Sequence, residues 1–211
     1  MDVIAALRAD VATANRILER TGLSHAFGHA SARIPGTNTF LLPTRRSPGL
    51  AEAADLLVLD TEGRIVSGDG EPNSEFWIHA RLYAARADVG GVVHAHPPAC
   101  VCLTGIGEPH RVVHNQGAIF AAGVPEYSRV GLIRSRELGD LLAQVIGDGQ
   151  AAMRRGYACS AWKNAAPLRT RSREMWRDAR GSTSARLRTG YTRSTLVLHV
   201  ANLTLIARSI A

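Results

Sequence analysis

Two histidines separated by one residue, His94 and His96, stand in the run Val92-Val93-His94-Ala95-His96-Pro97-Pro98, and the carboxylate Glu75 lies nineteen residues upstream. In an extended strand successive side chains alternate faces, so both imidazoles point one way and Ala95 the other. Such a pair is a clamp for a divalent cation. Neutral imidazole suits zinc, and a catalytic zinc takes three protein ligands while keeping one position for water or substrate. Two histidines are one ligand short, which makes Glu75 a candidate to complete the shell or to move a proton on a bound substrate. A bare His-x-His also occurs as a hydrogen-bonded pair at a strand end. Here Val92-Val93 predicts a buried strand, and Pro97-Pro98 ends it where a cleft can open.

The elements that must position these groups follow from periodicity. Residues 72–86 predict a helix with Asn73 or Ser74 as its cap and with Phe76, His79, Leu82 and Tyr83 at spacings of three and four. Glu75 then falls in the first turn, where the helix dipole stabilises a carboxylate; an ordinary surface residue fits there equally well. Residues 87–91 lead straight into the His-x-His strand, so helix and strand become antiparallel neighbours and the helix start can face the strand end. An opening amphipathic helix places Val3, Ile4, Leu7, Val11, Ala14, Ile17 and Leu18 on one face and stops before Gly22. Strands are predicted at residues 39–42, 56–60 and 64–67, the last two joined as a hairpin by Thr61-Glu62-Gly63. Further strands are predicted near Val112 and over residues 130–133, then a helix over 136–145 with Ser135 as cap and Gly147 as stop. This order suggests a layered sheet with helices on its faces.

The motifs Gly28-His29-Ala30-Ser31-Ala32-Arg33, Phe40-Leu41-Leu42-Pro43-Thr44 and Asn73-Ser74-Glu75, then His79 with Tyr83 and the stretch 88–96, occur in a specific order and spacing. In these the chain resembles the class II aldolase/adducin family, clearly over residues 27–98 and more weakly to about Gly156. The resemblance implies an α/β fold, a three-layer α/β/α sandwich around a largely antiparallel central sheet. It also implies that Glu75 is the catalytic proton carrier, that His94 and His96 bind zinc, and that a third zinc-binding histidine follows in an Arg-Gly-His-Gly pattern. The sugar aldolases of the family assemble as tetramers with sites near subunit boundaries, so a homo-oligomer is expected.

Departures from the sugar-phosphate aldolases narrow the substrate. Where those enzymes read Gly-Asn, Thr-Gly and Ser-Ser around a phosphate, this chain has Gly28-His29, Thr44-Arg45 and Asn73-Ser74. Arg45 followed by Arg46 removes a close-approach glycine and offers forked donors suited to a carboxylate, although a solvated loop accounts for them equally. A branch that decarboxylates hydroxylated or keto acids is more similar at these places. His29, Ser31, Arg45, Asn73 and Ser74 are therefore expected to bind substrate, with His114 as a further candidate in Arg111-Val112-Val113-His114-Asn115-Gln116-Gly117. The expected reaction breaks a carbon–carbon bond while a divalent metal (zinc, or Mn2+, Fe2+ or Mg2+) accepts charge from a substrate enolate or enediolate. Carbon dioxide leaving makes a decarboxylase of a hydroxylated aromatic or keto carboxylic acid; an aldehyde leaving makes a class II aldolase acting on a sugar phosphate or related hydroxy-carbonyl compound. Adducin supplies a third alternative, a non-catalytic interaction module.

Composition limits the rest. A chain of 211 residues can build one substantial core. Residues 1–152, the expected catalytic domain, carry 13 basic and 16 acidic side chains, whereas 153–211 carry 12 basic and 2 acidic. The basic balance belongs to this atypical Arg-rich segment alone. It shows no regular aromatic interleaving and no binding motif, which argues against nucleic acid as a partner. Arg155-Gly156-Tyr157 stands where Arg-Gly-His is due, so Tyr157 replaces the third ligand, and the family pattern is lost thereafter. A shifted reading frame or a divergent tail would each produce that break, and resequencing the gene separates them. Three cysteines, an odd number without Cys-x-x-Cys spacing, argue against a disulfide framework. No leader-like start and no membrane-length apolar run is present, so a soluble cytoplasmic chain is expected.

Overall fold

The computed structural model describes residues 2–112, 115–155 and 157–163, with 116, 119 and 157–163 described by backbone alone. Helix α1 (Val3–Arg20) leads into strands β1 (His29–Arg33), β2 (Thr39–Pro43), β3 (Leu56–Asp60) and β4 (Ile65–Ser67). Helix α2 (Trp77–Ala85) precedes β5 (Val89–Ala95), and α3 (Pro98–Gly105) follows it. Then come β6 (Glu126–Tyr127), α4 (Arg136–Ile146), β7 (Ala151–Arg154) and β8 (Tyr157–Lys163). The strands form one sheet in the order β4-β3-β2-β1-β5-β8-β7-β6. Every described pairing is antiparallel except β6 with β7.

Strand alternation divides the core between two faces. Ala30, Ala32, Leu41, Val93, Ala95 and Met153 pack with Val11 and Leu18 of α1 and Cys100 of α3. Their chain neighbours Phe40, Leu42, Val92 and Ala152 pack on the opposite face with Ile78 and Leu82 of α2 and Leu142 and Ile146 of α4. The result is the expected three-layer α/β/α sandwich around a largely antiparallel sheet. The described sheet runs through residue 152 to Lys163, so the change of charge at 153 lies inside β7. No helix among the described residues is long and apolar enough to cross a membrane.

Local signals explain most element ends. The Asp2 side chain accepts from Ile4 N at 2.9 Å to start α1, and the Ser135 hydroxyl accepts from Leu138 N at 3.3 Å to start α4. The 61–63 hairpin joins β3 to β4 as expected. At Gly139 a Cβ would lie 2.6 Å from the Trp77 carbonyl, so only glycine lets α4 approach α2 this closely.

Three expectations are corrected. Helix α2 starts at Trp77 with no side-chain cap, and Glu75 lies in the turn before it, where its N–H donates to Asn73 Oδ1 at 3.0 Å. Residues 111–112 form no strand, and neither do residues 130–133. In the second case the apolar pattern is real but the backbone bonds elsewhere: Ile133 N donates to Glu75 Oε1 at 2.9 Å, and the Gly131 carbonyl accepts from Arg154 Nη2 at 2.6 Å. Side chains have taken the groups that a neighbouring strand would need.

Candidate active site

Strand β5 ends at Ala95, and His94 and His96 straddle that end. Alternation sends both rings to the α2 side of the sheet, where their Nε2 atoms lie 3.0 Å apart. Glu75 enters from the turn before α2, with Oε2 3.4 Å from His94 Nε2. These separations match the edge of about 3.3 Å expected between donors on a tetrahedral zinc with bonds near 2.0–2.1 Å. The donor types, two imidazole nitrogens and a carboxylate oxygen, therefore fit a divalent cation. They do not complete its shell: among the described residues no group of three or more His, Cys, Asp or Glu forms a metal-holding set. Tyr157, at the expected place of a third ligand, begins β8, in which Ala158 pairs with Ala95 and Cys159 with His94. Its side chain lies outside the described residues.

Glu75 is buried and firmly held. Oε1 accepts from Ile133 N and, at 3.1 Å, from Arg154 Nη1, so only Oε2 is turned toward the histidines. Burial pushes its carboxyl up, but His94, the Ile133 N–H and the Arg154 guanidinium outweigh it and bring the pKa down to about 2. Glu75 is thus a carboxylate at neutral pH. Burial, reinforced by His94, lowers His96 to about 4. Its ring is neutral at neutral pH and keeps the lone pair that a cation would need.

A cleft of about 530 Å3 opens over this group. Of the expected substrate-binding residues, His29, Arg45, Asn73 and Ser74 line it together with Glu75, His94 and His96. Ser31 does not: it is fully buried, and its hydroxyl faces His79 Nδ1 at 2.5 Å and Tyr83 OH at 2.8 Å. It follows His29 by two on β1 and so shares its face, one step deeper under α2. His114 lies outside the described residues. Gly28 allows the chain to enter the site, because it holds φ 129° and a Cβ there would lie 2.0 Å from Ser24 Oγ.

Arg154, Arg46 and Arg134 were not among the expected site residues. Arg154, with no exposed surface, comes from β7. Arg46 lines the cleft while paired with Asp55 at 2.5 Å, and Arg45 is 3.9 Å from Glu71. Arg134 also lines the cleft, and no ion pair among the described residues involves it. Arg46 was legible as Arg45's neighbour. Arg134 carries no local signal, because its place depends on the 130–133 segment folding back over Glu75.

Comparison with known proteins agrees with this architecture. Residues 9–167 match the Class II Aldolase and Adducin N-terminal domain. The chain is 34% identical over 177 residues to a 3,4-dihydroxyphthalate decarboxylase of Arthrobacter keyseri, covering 74% of this chain and 69% of that one. It is 32% identical over 171 residues to a protein of the same name from Terrabacter sp. (strain DBF63), covering 74% and 71%. Among solved structures, an L-fuculose 1-phosphate aldolase superposes with a TM-score of 0.68 at 20% identity, over 76% of each chain, a likeness of fold. The chain belongs to the class II aldolase and adducin family, and it is one of that family's lyases.

Proposed function

We propose that this lyase is a divalent-metal-dependent decarboxylase of hydroxylated aromatic or keto carboxylic acids, with 3,4-dihydroxyphthalate as the first substrate to test. The observation that carries the reading is the charge of the cleft: Arg45, Arg46 and Arg134 surround a centre whose one carboxylate is already paired with Arg154. Such a cleft favours an anion, and forked guanidinium donors match carboxylates. The names of the two decarboxylase relatives point the same way.

His94 and His96 would hold the cation (zinc, or manganese(II), iron(II) or magnesium), leaving Glu75 Oε2 beside it to carry a proton. The cation would act as a Lewis acid toward a substrate hydroxyl and a neighbouring carboxylate oxygen. Glu75 starts as a carboxylate and takes the proton of the substrate hydroxyl on Oε2. It returns that proton to the ring carbon that bears the departing carboxylate. The carbon–carbon bond then breaks, carbon dioxide leaves, and the ring regains aromaticity as a phenolate that water protonates. Arg134 and Arg45 bind the carboxylate that remains. Exposed Phe27 and Leu132 lie at the same cleft. A homo-oligomer, tetrameric as in the family's sugar aldolases, would cover them.

The test is to supply purified protein with zinc or manganese and 3,4-dihydroxyphthalate, then to measure carbon dioxide and dihydroxybenzoate. Both are expected in equal amounts. Cleavage of L-fuculose 1-phosphate with no release of carbon dioxide would replace the proposal by the aldolase reading. Turnover of neither by metal-loaded protein would favour an interaction module.

A further inference from the structure

Arg154 has no exposed surface, and a buried guanidinium is tolerated only where its donors meet acceptors. On β7 it follows Ala152 by two and so shares the α2 face of the sheet, with its Cζ 5.9 Å from the centre of the Tyr127 ring, which stands opposite it on β6. Its two outer nitrogens go to separate parts of the chain. Nη1 lies 3.1 Å from Glu75 Oε1, and Nη2 donates to the Gly131 carbonyl at 2.6 Å. Two residues beyond Gly131, the Ile133 N–H donates to the same Glu75 oxygen at 2.9 Å. The contacts close a ring that runs from the guanidinium to the carboxylate, to Ile133, to Gly131 and back to the guanidinium.

That ring ties a wall of the cleft to the proton carrier. Among the described residues, the bonds at Gly131 and Ile133 are the only hydrogen bonds from residues 128–134 to the rest of the protein; a further one, Arg134 N to the Leu132 carbonyl at 3.1 Å, closes a turn within the segment. The Ile133 side chain is seated in the core, but Leu132 borders both the cleft and a second cavity of about 350 Å3, so packing alone does not fix it. Gly131 makes the bond to Arg154 possible, because it holds φ 118°, where a side chain is strained even in open space. A lysine at this position would keep the charge but lose the fork, since one nitrogen cannot stand where two guanidinium nitrogens stand.

We propose that Arg154 is a positioning residue that makes substrate grip and proton transfer depend on one another. Through the carboxylate it holds Oε1, which leaves Oε2 facing His94. Through Gly131 it holds the turn from which Arg134 reaches the cleft. Arg154 does not itself line the cleft, so its effect on substrate runs through these two groups. Opening the ring at either end therefore disturbs both: the aim of the proton carrier and the place of the guanidinium that meets the substrate's second carboxylate. The use of Arg134 as a carboxylate grip rests on the lyase reading above; the ring does not.

The test compares zinc-supplied wild type with Arg154→Lys and Gly131→Ala. Hydrogen exchange over residues 128–134 comes first: the Ile133 N–H is expected to be protected in the wild type and to exchange at least about tenfold faster in Arg154→Lys, the loss of one charge-assisted bond, while exchange in α1 stays as it was. Binding of phthalate and of benzoate follows, with and without Arg134→Gln. In the wild type Arg134→Gln should weaken phthalate binding about tenfold; on the Arg154→Lys background it should change it less than about twofold, and kcat on an active substrate should be about 10²-fold lower. At Gly131 a Cβ meets nothing within 4 Å, so Gly131→Ala strains only the backbone and leaves the ion pair in place. It should show the same loss of coupling, and it decides the matter if Arg154→Lys does not fold. Unchanged protection of Ile133 in both variants would overturn the proposal, as would a full tenfold effect of Arg134→Gln on either background. A wild type that binds neither acid would count against the lyase reading, and the exchange at Ile133 would still decide whether Arg154 holds the segment.

Discussion

The two faces of the central sheet are built from the same strands and do opposite work. On the α1 side β1 presents Ala30 and Ala32, and β5 presents Val93 and Ala95; all are buried in apolar contact. One residue away in the chain, on the α2 side, the same strands present His29, Ser31 and His94, buried to the same degree. The difference lies in partners. On the first face burial itself stabilises, and small side chains let α1 settle close, aided by Asn15, which exchanges hydrogen bonds with both backbone groups of Ala30. On the second face burial destabilises each polar group unless it is paired, and the site is the result of that pairing: Glu75 with Arg154, Ser31 with His79, His94 beside His96. A change on the first face should therefore alter stability alone, and a change on the second should alter chemistry first.

Glu75→Gln is the largest expected breach of that division. It should lower turnover by about 10³-fold, within the range for losing a positioned proton carrier. It also removes the carboxylate charge that faces the buried Arg154 guanidinium, so stability should fall in chemical denaturation, by roughly 1–3 kcal/mol. On the opposite face Leu18→Ala should cost about 2–5 kcal/mol and leave the kcat and KM of the folded fraction as they were. A large kinetic effect there would contradict the division of labour.

Acid stability sharpens the comparison. Burial lowers His79 to about 3, so below pH 6.5 the unfolded chain binds a proton that the folded chain refuses. Its contribution is fully present above pH 6.5 and is lost as the pH falls toward 3, at up to about 1.4 kcal/mol per pH unit. Measured in chelator to exclude metal linkage, His79→Gln should flatten that slope, whereas Leu18→Ala should displace the curve without changing its slope. The smallest effect is expected at the rim, where Arg134→Gln should weaken binding of a dicarboxylate such as phthalate by about tenfold, one charge-assisted contact. Binding of benzoate should hardly change.

Much of this was legible in the sequence, and what was not has a physical reason. His-x-His before Pro-Pro is a local pattern whose consequence is fixed by strand alternation, whereas Asn73-Ser74-Glu75 was read as the start of a helix and forms the turn before it. The α4 cap and the β3–β4 hairpin are local as well. The segment 130–133 was misread because its apolar pattern is that of a strand, while its hydrogen bonds go to Glu75 and Arg154, far away in the chain. Arg154 was invisible for the same reason: nothing within β7 tells that its guanidinium meets a carboxylate 79 residues earlier. Ser31 was read as touching substrate because its motif includes it, yet α2 covers it and turns it to His79.

The central claim is that His94 and His96 hold a divalent cation on which the cleft depends. Elemental analysis of purified wild type beside His94→Ala and His96→Ala tests it most directly. Near-stoichiometric zinc or another divalent metal in the wild type, lost in both folded variants, is the predicted result; a folded wild type that takes up no metal even when it is supplied would contradict the claim.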